Sequence, residues 1–485
     1  MNSMNINRRS FLKCTVAATV GYPLAVGAQA SEKPNMIFFM TDDQGYHDAA
    51  YMGHQHLETP ELDEMAQNGL RLDRFYSASP VCSPTRASVL SGRHPNRSGT
   101  FRHGHQLRPQ ERTVASLLRD AGYRTGFFGK WHIGSIQAGR PTNPGAHGFD
   151  TWTAAPNYYL NDPWMSRNGK AVQLHGESSM VTVEEALPFI EEAVENDEPF
   201  LAFIWTGSPH GPHEASDELF ERYSDFSEEE ANYYGEITGV DRALGRIREH
   251  LRAKGIDEQT ILWFSSDNGG RVPPADNGPL RGEKGGLWEG GIRVPSVIEW
   301  PGHIQPGISH LPSGTVDILP TLLELAGAKI PDDRPLDGIS IASLIHGREM
   351  DQRTQPLGFW HYDIDGHLMY SDRIVKELYE LQQAGEENGE IVNEGYLHPP
   401  GRDYARAEER PGPGAWIDGD WKLHRRGSDY LLFNLAEDPG EQNNVINKHP
   451  QRAERMRKEL RAWEDSVIQS LRGADYGRGA AIINE

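Results

Sequence analysis

The sequence predicts an α/β fold with a mostly parallel sheet sandwiched by helices, followed by a smaller C-terminal α+β domain built on a short antiparallel sheet. Short apolar runs that lead into polar or glycine-rich residues alternate with segments of helical pattern, as in parallel sheets covered on both faces. After about residue 352 this alternation stops, which predicts two domains over 31–352 and 353–485. The predicted parallel strands are "NMIFFMTDD" from 35, "RTGFFGKWH" from 124, "PFLAFIWT" from 199 and "TILWFSSDNGG" from 260.

The helices are predicted from their start and stop signals. Thr59 and Pro60 are typical of an N-cap and a first helical residue, and Gly69 is typical of a helix end. In the C-terminal part, "AWIDGDWKLHRRGSDYLLFNL" predicts short antiparallel strands. Further helices are predicted from 113, over 229–254, from 315 and over 449–471.

The N-terminal segment over 1–30 resembles a twin-arginine export signal. Arg8 and Arg9 precede a mildly apolar stretch over 11–28, and the small residues up to Ala30 form a cleavage pattern. An ordinary first helix is the alternative, disfavoured because Thr, Gly and Pro interrupt the stretch. Elsewhere the chain lacks the roughly 18 consecutive apolar residues that span a bilayer. The sequence therefore predicts passage through the export machinery to the periplasm or the medium, without a membrane span.

The charge balance excludes several classes of partner. The 485 residues include 48 basic and 70 acidic side chains, which gives a net charge of −22, and no basic run of five or more occurs. Nucleic acids and anionic membranes are therefore not expected as partners. A polyanionic substrate would be repelled at long range, so it would need a local positive site.

Two cysteines are present, and only Cys82 would remain after removal of the signal segment that contains Cys14. No intrachain disulfide is then expected. Pro84 is typical of a first helical residue, in a helix that would run toward Gly92. Cys82 would lie at the helix N-terminus, where free N–H groups lower a thiol pKa, with Arg86 near enough to reach back to it. The alternative is a buried small cysteine beside a surface arginine.

Acidic and amide side chains directly follow two of the predicted strands. Asp42 and Asp43 follow the first strand, and Asp267 and Asn268 follow the fourth. Because ligands of parallel sheets bind at the carboxyl ends of the strands, these side chains would gather at one edge. They supply only oxygen ligands, which suit Ca²⁺ or Mg²⁺ and argue against zinc. The alternatives are a solvated strand end and an ordinary turn at "SDNGG".

Basic side chains are predicted at the same edge. Lys130 and His132 alternate along "GKWHIG", so they would project to one side of an extended segment, with Trp131 on the other. His210 follows a strand closely, and Lys284 lies in a glycine-rich loop that lets the backbone approach a ligand. Singly, each is more typical of a strand-edge cation, a turn histidine or a solvated loop lysine than of a functional site. Together around a metal, they would bind a tetrahedral oxyanion and stabilise charge on its oxygens.

The same residues lie in a series of motifs that occur in order along the chain. They are "TDDQG", "CSPTR", "GKWHIG", "HGP", "SDNGG", "GEKGGLWEGGIRVP", "DGDWKL" and "LFNLAEDPGEQNN". With these motifs, residues 33–450 resemble the arylsulfatase-like, formylglycine-dependent sulfatases of the alkaline-phosphatase superfamily. "CSPTR" matches the CxPxR signature in which that family oxidises cysteine to formylglycine.

The resemblance implies hydrolysis of sulfate esters by the domain over 31–352. A formylglycine-generating or sulfatase-maturating enzyme would convert Cys82, and the aldehyde hydrate would attack sulfur. His132 would take the proton of the second hydroxyl, so that re-formation of the aldehyde expels sulfate. One divalent ion, Ca²⁺ or else Mg²⁺, would be held by Asp42, Asp43, Cys82, Asp267 and Asn268.

The resemblance also implies roles for the cations. Arg86 and Lys130 would steady the modified residue, whereas Lys284 and His210 would bind sulfate and protonate the leaving alcohol. His213 is the alternative to His210, although the HxP pattern of the family favours His210.

The expected substrate is a sulfated carbohydrate. Aromatic clusters at "NYYLNDPW" from 157 and "GFWHYDIDGH" from 358 could stack on sugar rings, or equally could pack within the fold. Two alternative functions remain at the level of sequence. One is a phosphonate monoester or phosphodiester hydrolase of the same superfamily, and the other is an inactive carbohydrate-binding relative.

Overall fold

The computed structural model describes residues 33–477 except 332, 349, 387–388, 392–393, 396 and 398–402. The predicted signal segment over 1–30 lies outside the described residues, so it stays a prediction. The strands, in chain order, are Asn35–Thr41 (β1), Leu70–Leu72 (β2), Phe75–Tyr76 (β3), Arg124–Lys130 (β4), Thr151–Ala155 (β5), Trp164–Arg167 (β6), Lys170–Gln173 (β7), Phe200–Trp205 (β8), Thr260–Ser266 (β9), Arg293–Val294 (β10), Ser296–Glu299 (β11), Gly307–Ser309 (β12), Ser313–Gly314 (β13), Leu357–Trp360 (β14), Gly414–Asp418 (β15), Trp421–Arg426 (β16) and Asp429–Asn434 (β17).

α-Helices lie in several of the connections between these strands, and short 3₁₀ turns supplement them. Within the described part of the chain, no helix has the length and apolar character needed to cross a membrane. The α-helices are Pro60–Asn68 (α1), Cys82–Ser91 (α2), Val114–Asp120 (α3), Ser178–Glu195 (α4), Asp217–Arg222 (α5), Glu228–Lys254 (α6), Glu289–Ile292 (α7), Ile318–Leu325 (α8), Ala342–Ile345 (α9), Ser371–Gln383 (α10) and Pro450–Leu471 (α11).

The main sheet contains ten strands in the order β12-β2-β11-β9-β1-β8-β4-β5-β6-β7. The central strands β9, β1, β8, β4 and β5 pair in parallel. Antiparallel pairs flank them, where β11 pairs with β9 and β6 pairs with β5. Because the central strands run in one direction, their carboxyl ends meet at one edge of the sheet.

Successive residues of the central strands fill two separate cores. In β1, Met36, Phe38 and Met40 pack on one face of the sheet, whereas Ile37 and Phe39 pack on the other. Helices α2, α3 and α8 cover the first face, and α1, α4 and α6 cover the second. Strands buried on both faces appear in the sequence as continuous apolar runs, which is the pattern that predicted them. The predicted sandwich of a mostly parallel sheet between helices is confirmed.

The C-terminal part forms a second sheet of four antiparallel strands, in the order β14-β15-β16-β17. Helix α11 packs on it through Met456, Leu460 and Val467, which share a core with Leu423 of β16. The predicted short antiparallel sheet with a closing helix is therefore confirmed. The predicted boundary near residue 352 stays a prediction.

The bounds of the predicted elements hold to within about three residues, with one difference that bears on function. The prediction that Pro84 begins a helix is wrong, because α2 begins two residues earlier at Cys82, with Val81 as its N-cap. Proline is tolerated throughout the first turn, since N–H groups there have no acceptor within the helix. Cys82 is therefore itself the first helical residue, and the helix ends before Gly92 as expected.

Candidate active site

The ends of three central strands bring the predicted site residues to one edge of the sheet. β1 and β9 end directly before Asp42 and Asp267, and β4 ends at Lys130. The Asp42 N–H donates to the Ser208 carbonyl at 3.1 Å, and the Asp267 N–H donates to the Thr41 carbonyl at 3.1 Å. The hydrogen bonding of the sheet thus continues beyond the strands and fixes the backbone beneath the site.

Three carboxylates and one amide form an acidic centre at this edge. Its members are Asp42, Asp43, Asp267 and Asn268, each at most 7% exposed. Asp43 has a φ of +66°, a left-handed conformation in which aspartate is enriched. Its N–H donates to Asp267 Oδ1 at 3.2 Å, and its own Oδ1 accepts from Asn268 Nδ2 at 2.7 Å. The structure therefore brings together all four predicted oxygen-bearing residues.

Three cations compensate the three carboxylates of the acidic centre. Arg86 Nη1 donates to the Lys130 carbonyl at 2.9 Å, and Arg86 Nη2 lies 3.7 Å from Asp42 Oδ1. Each carboxylate of the centre also has a cation within hydrogen-bond distance. The pairs are Lys130 Nζ to Asp42 Oδ2 at 2.5 Å, Lys284 Nζ to Asp43 Oδ2 at 2.6 Å, and Arg86 Nη2 to Asp267 Oδ2 at 2.6 Å.

Burial and neighbouring charges set the pKa values of this centre. Burial alone would raise the pKa of Asp43, but Lys284 and His210 hold it far below its ordinary value. Burial, together with the charge of Asp42, raises the pKa of Asp267 to about 6. Burial opposes the charged form of Lys284, yet Asp43 outweighs it and raises the pKa of that lysine. The region around Asp42 and Asp267 thus holds crowded negative charge, which a further cation would relieve.

Cys82 lies against this acidic centre and is 2% exposed. Its Sγ and one oxygen each of Asp42 and Asp267 all lie within 4.8 Å of one another. Burial raises the pKa of the thiol, although Lys130 and Lys284 oppose the change. The expected lowering of this pKa is wrong, because burial outweighs the nearby positive charges. An unmodified thiol here stays protonated at neutral pH.

His132 lies at the site in a conformation that the sequence did not predict. Its φ is +54°, so the segment is not extended at this residue. Its carbonyl accepts a hydrogen bond from Ser83 Oγ at 2.6 Å, which ties it to α2. Neither of its buried ring nitrogens has a hydrogen-bond partner among the described residues. Burial and the charges of Lys130 and Arg86 hold its pKa well below the ordinary value, so the ring is neutral.

The structure separates the two histidines that the sequence left as alternatives. His210 Nδ1 lies 2.6 Å from the Gly211 carbonyl oxygen, so this nitrogen carries a proton. Its Nε2 lies 3.7 Å from Asp43 Oδ2 and faces the acidic centre. His213 Nδ1 instead lies 3.1 Å from Glu236 Oε2. His210 is therefore the histidine that borders the acidic centre.

Two oxygen atoms of the acidic centre lack hydrogen-bond partners within the described part of the chain. They are Asp42 Oδ1 and Asn268 Oδ1, and both are buried. Leaving a buried acceptor unsatisfied costs about 1–3 kcal/mol, which a bound cation would offset. With the carboxylates of Asp43 and Asp267 they form an all-oxygen set, the type that Ca²⁺ and Mg²⁺ prefer. These residues fit one hard divalent ion.

Two further residues at the site escaped the sequence analysis. Arg102 and His103 follow α2, and Arg102 contacts His361 through their side-chain nitrogens. Burial, with the charges of Arg102 and Lys284, lowers the pKa of His103 to about 4, so its ring is neutral. The stretch "FRHGH" was the available signal, but no motif distinguished it from an ordinary loop.

The aromatic clusters divide between core and site. Tyr159, Trp360 and Tyr362 are buried, at most 3% exposed, and therefore serve packing. The half-buried ring of Tyr158 instead stacks on His210, with ring centroids 4.6 Å apart. A cleft of about 640 Å³ opens beside His210 and Lys284 and leads to the surface.

Comparison with known proteins identifies the family. A sequence model of the family described as Sulfatase matches residues 34–328, more than half of the chain. The chain is 31% identical over 397 residues to N-acetylgalactosamine-6-sulfatase of Canis lupus familiaris, covering 72% of this chain and 74% of that protein. It is 32% identical over 348 residues to an ulvan-active sulfatase of Formosa agariphila, covering 67% of each chain.

A solved structure shares the fold. The structure of Ps i-CgsB in complex with k-i-k-neocarrahexaose aligns with a TM-score of 0.76 at 24% identity, covering 92% of this chain and 97% of that chain. The site geometry, the family match and the identity to sulfatases agree. The chain therefore belongs to the sulfatase family of the alkaline-phosphatase superfamily and is a sulfuric ester hydrolase.

Proposed function

We propose that this enzyme hydrolyses sulfate esters of a sulfated carbohydrate, with formylglycine made from Cys82 as the nucleophile and one divalent metal ion. The observation that carries the proposal is the set of buried oxygen atoms beside the Cys82 side chain. Ca²⁺ is the proposed ion and Mg²⁺ the second candidate. The proposed ligands are Asp42, Asp43, Asp267 and Asn268, together with the modified side chain at position 82.

The charge of the site supports an anionic substrate. Three carboxylates face three cations, so the protein groups alone are close to balanced. A bound divalent ion would leave the site positive and would polarise the oxygens of a sulfate group. This local field is required because the whole chain has a net charge of −22. The site would therefore attract a sulfate ester that the rest of the surface repels.

The side chains around Cys82 have roles that follow from their surroundings. A formylglycine hydrate would supply one hydroxyl to attack sulfur and a second whose deprotonation re-forms the aldehyde and expels sulfate. His132 is neutral, and neither ring nitrogen is hydrogen-bonded within the described part of the chain, so its unprotonated nitrogen could accept that proton. Arg86 and Lys130, both fully buried, hold the carboxylates beside the modified residue.

The alcohol part of the sulfate ester, which departs in the reaction, would lie on the cleft side of the site. Lys284 and His210 border the cleft, so they would bind the sulfate oxygens. Burial and the charge of Lys284 hold the pKa of His210 well below its ordinary value, so without substrate the ring is neutral, with its proton on Nδ1. In the substrate complex the sulfate charge would favour a second proton on Nε2, which would pass to the oxygen of the departing sugar and leave the ring neutral again. General acid catalysis of this type contributes about 10²–10⁴-fold to a rate. The names of two relatives, an N-acetylgalactosamine-6-sulfatase and an ulvan-active sulfatase, support a sulfated sugar as the substrate.

Maturation and export are further parts of the proposal. A formylglycine-generating or sulfatase-maturating enzyme would convert Cys82 before the folded protein passes through the twin-arginine export machinery to the periplasm or the medium. Mass analysis of the tryptic peptide over 75–86, from the exported protein of its own host, tests this order. An unmodified Cys82 in active exported protein would contradict it.

The activity is tested by comparing kcat/KM for defined sulfated saccharides, aryl sulfates and phosphate diesters. We expect sulfate esters to be preferred, and Cys82→Ala to lower the rate at least about 10³-fold, as removal of a nucleophile does. Lys376→Ala, on the half-exposed surface of α10, is the matched control and should retain the rate. A preference for phosphate diesters would favour the phosphodiesterase alternative. A folded, unconverted protein that binds saccharides without hydrolysis would favour the binding relative.

A further inference from the structure

We propose that Tyr158 is a positioning residue that holds the His210 ring for protonation of the leaving alcohol. The inference rests on the proposed role of His210 and extends it to Tyr158, which lies in the aromatic cluster from 157 and outside the ordered family motifs. The two rings lie parallel, with centroids 4.6 Å apart and planes inclined by 12°. Tyr158 is half-buried, so one part of its ring supports His210 and another remains open to solvent.

Two contacts restrain the His210 ring in different directions. The hydrogen bond from Nδ1 to the Gly211 carbonyl, at 2.6 Å, fixes the Nδ1 edge of the ring and directs Nε2 toward the site. The proton for the leaving alcohol is a second one, carried by Nε2 in the substrate complex, and its transfer leaves the ring neutral with Nδ1–H on Gly211. That bond still allows the ring to tilt about the bonded edge. The face of Tyr158 removes this freedom, because tilting would break the parallel stack. With both contacts, Nε2 is held 3.7 Å from Asp43 Oδ2, on the cleft side of the sulfate site.

The residues on both sides of Tyr158 are held by side-chain hydrogen bonds, so the position of its ring is restrained. Asn157 Nδ2 donates to the Met369 carbonyl at 2.8 Å. On the other side, the buried Tyr159 hydroxyl lies 2.6 Å from Thr182 Oγ1. Since a misplacement of about 1 Å in a reacting group costs about 100-fold in rate, such support has a kinetic consequence.

The test uses leaving groups that differ in their need for a proton. 4-Nitrophenolate departs readily without protonation, whereas phenolate is a poorer leaving group and benefits from a general acid. For each enzyme variant, kcat/KM is measured with 4-nitrophenyl sulfate and phenyl sulfate, because kcat/KM includes the step in which the alcohol departs. We expect Tyr158→Ala to lower kcat/KM about 10–100-fold for phenyl sulfate and less than about threefold for 4-nitrophenyl sulfate.

Matched variants separate positioning from a general structural effect. Tyr158→Phe keeps the stacked ring and should keep the wild-type ratio of the two rates, whereas His210→Ala should show at least the selectivity of Tyr158→Ala. Tyr379→Ala, at a tyrosine of α10 that is 40% exposed, should leave the ratio unchanged. Equal losses for both substrates in Tyr158→Ala, or no loss, would overturn the inference while leaving the proposed function intact. A wild-type enzyme without sulfatase activity would refute both.

Discussion

Replacement of Lys422 by methionine tests the ion-pair network that ties the C-terminal sheet to the loop carrying Lys284. The fully buried Lys422 Nζ lies 2.8 Å from Glu289 Oε1 and 3.2 Å from Glu441 Oε1. The Glu289 N–H in turn donates to Glu441 Oε2 at 2.7 Å. Methionine keeps the apolar stem and removes the charge, so two buried carboxylates lose their common cation.

The magnitude follows from the pKa of Glu441. Burial alone would raise this pKa, but Lys422 and His424 lower it from 4.5 to about 2. A lowering of this size corresponds to about 3 kcal/mol of the free energy of unfolding at neutral pH. Breaking a buried ion pair by removing one partner costs about 3–5 kcal/mol, in agreement. Because the folded-state pKa is depressed, this stability is present above pH 4.5 and is lost as the pH falls toward 2.

The assay is urea denaturation of wild type and Lys422→Met at pH 7 and pH 5. We expect the variant to lose about 3–5 kcal/mol at pH 7 and less at pH 5, because Glu441 without its cation takes up a proton more readily. Lys376→Met is the control, since that ammonium is 52% exposed and its pair with Asp372 contributes less than about 1 kcal/mol. A loss below about 1 kcal/mol at pH 7, or equal losses at the two pH values, would refute the reasoning.

Three other substitutions have expected outcomes. Asp42→Ala removes a carboxylate whose buried Oδ1 has no hydrogen bond within the described part of the chain, so calcium binding measured by titration calorimetry should be lost, and wild-type affinity would contradict the proposed ligand set. Ser83→Ala removes a hydroxyl that bridges two loops at the site, and the free energy of unfolding should fall by about 1–2 kcal/mol in urea. Gly129→Ala would place a Cβ 1.8 Å from the Trp205 carbonyl oxygen, so soluble yield should collapse. Gly427→Ala, also at positive φ but in open surroundings, should cost only about 1–2 kcal/mol, and similar yields of the two glycine variants would contradict the steric argument.

Much of the fold and of the site chemistry was predictable because it depends on local pattern. Buried parallel strands appear as continuous apolar runs, and their shared direction brings the residues that follow them to one edge. That is why Asp42, Lys130 and Asp267 were correctly expected to lie together. The start of α2 was misplaced at Pro84, because proline is compatible with several positions in the first turn.

The sequence by itself determined the residue types that follow each strand, and hence the oxygen-rich, cation-balanced chemistry of the site. Only the tertiary structure decided that Arg86 binds Asp267, that His210 rather than His213 faces Asp43, and that Tyr158 stacks on His210. The physical reason is that the apolar pattern of a strand or helix, and the residues that follow it, are set by neighbours in the chain. Contacts between side chains far apart in the chain depend instead on how the packed layers place loops against one another, and no local pattern specifies that placement.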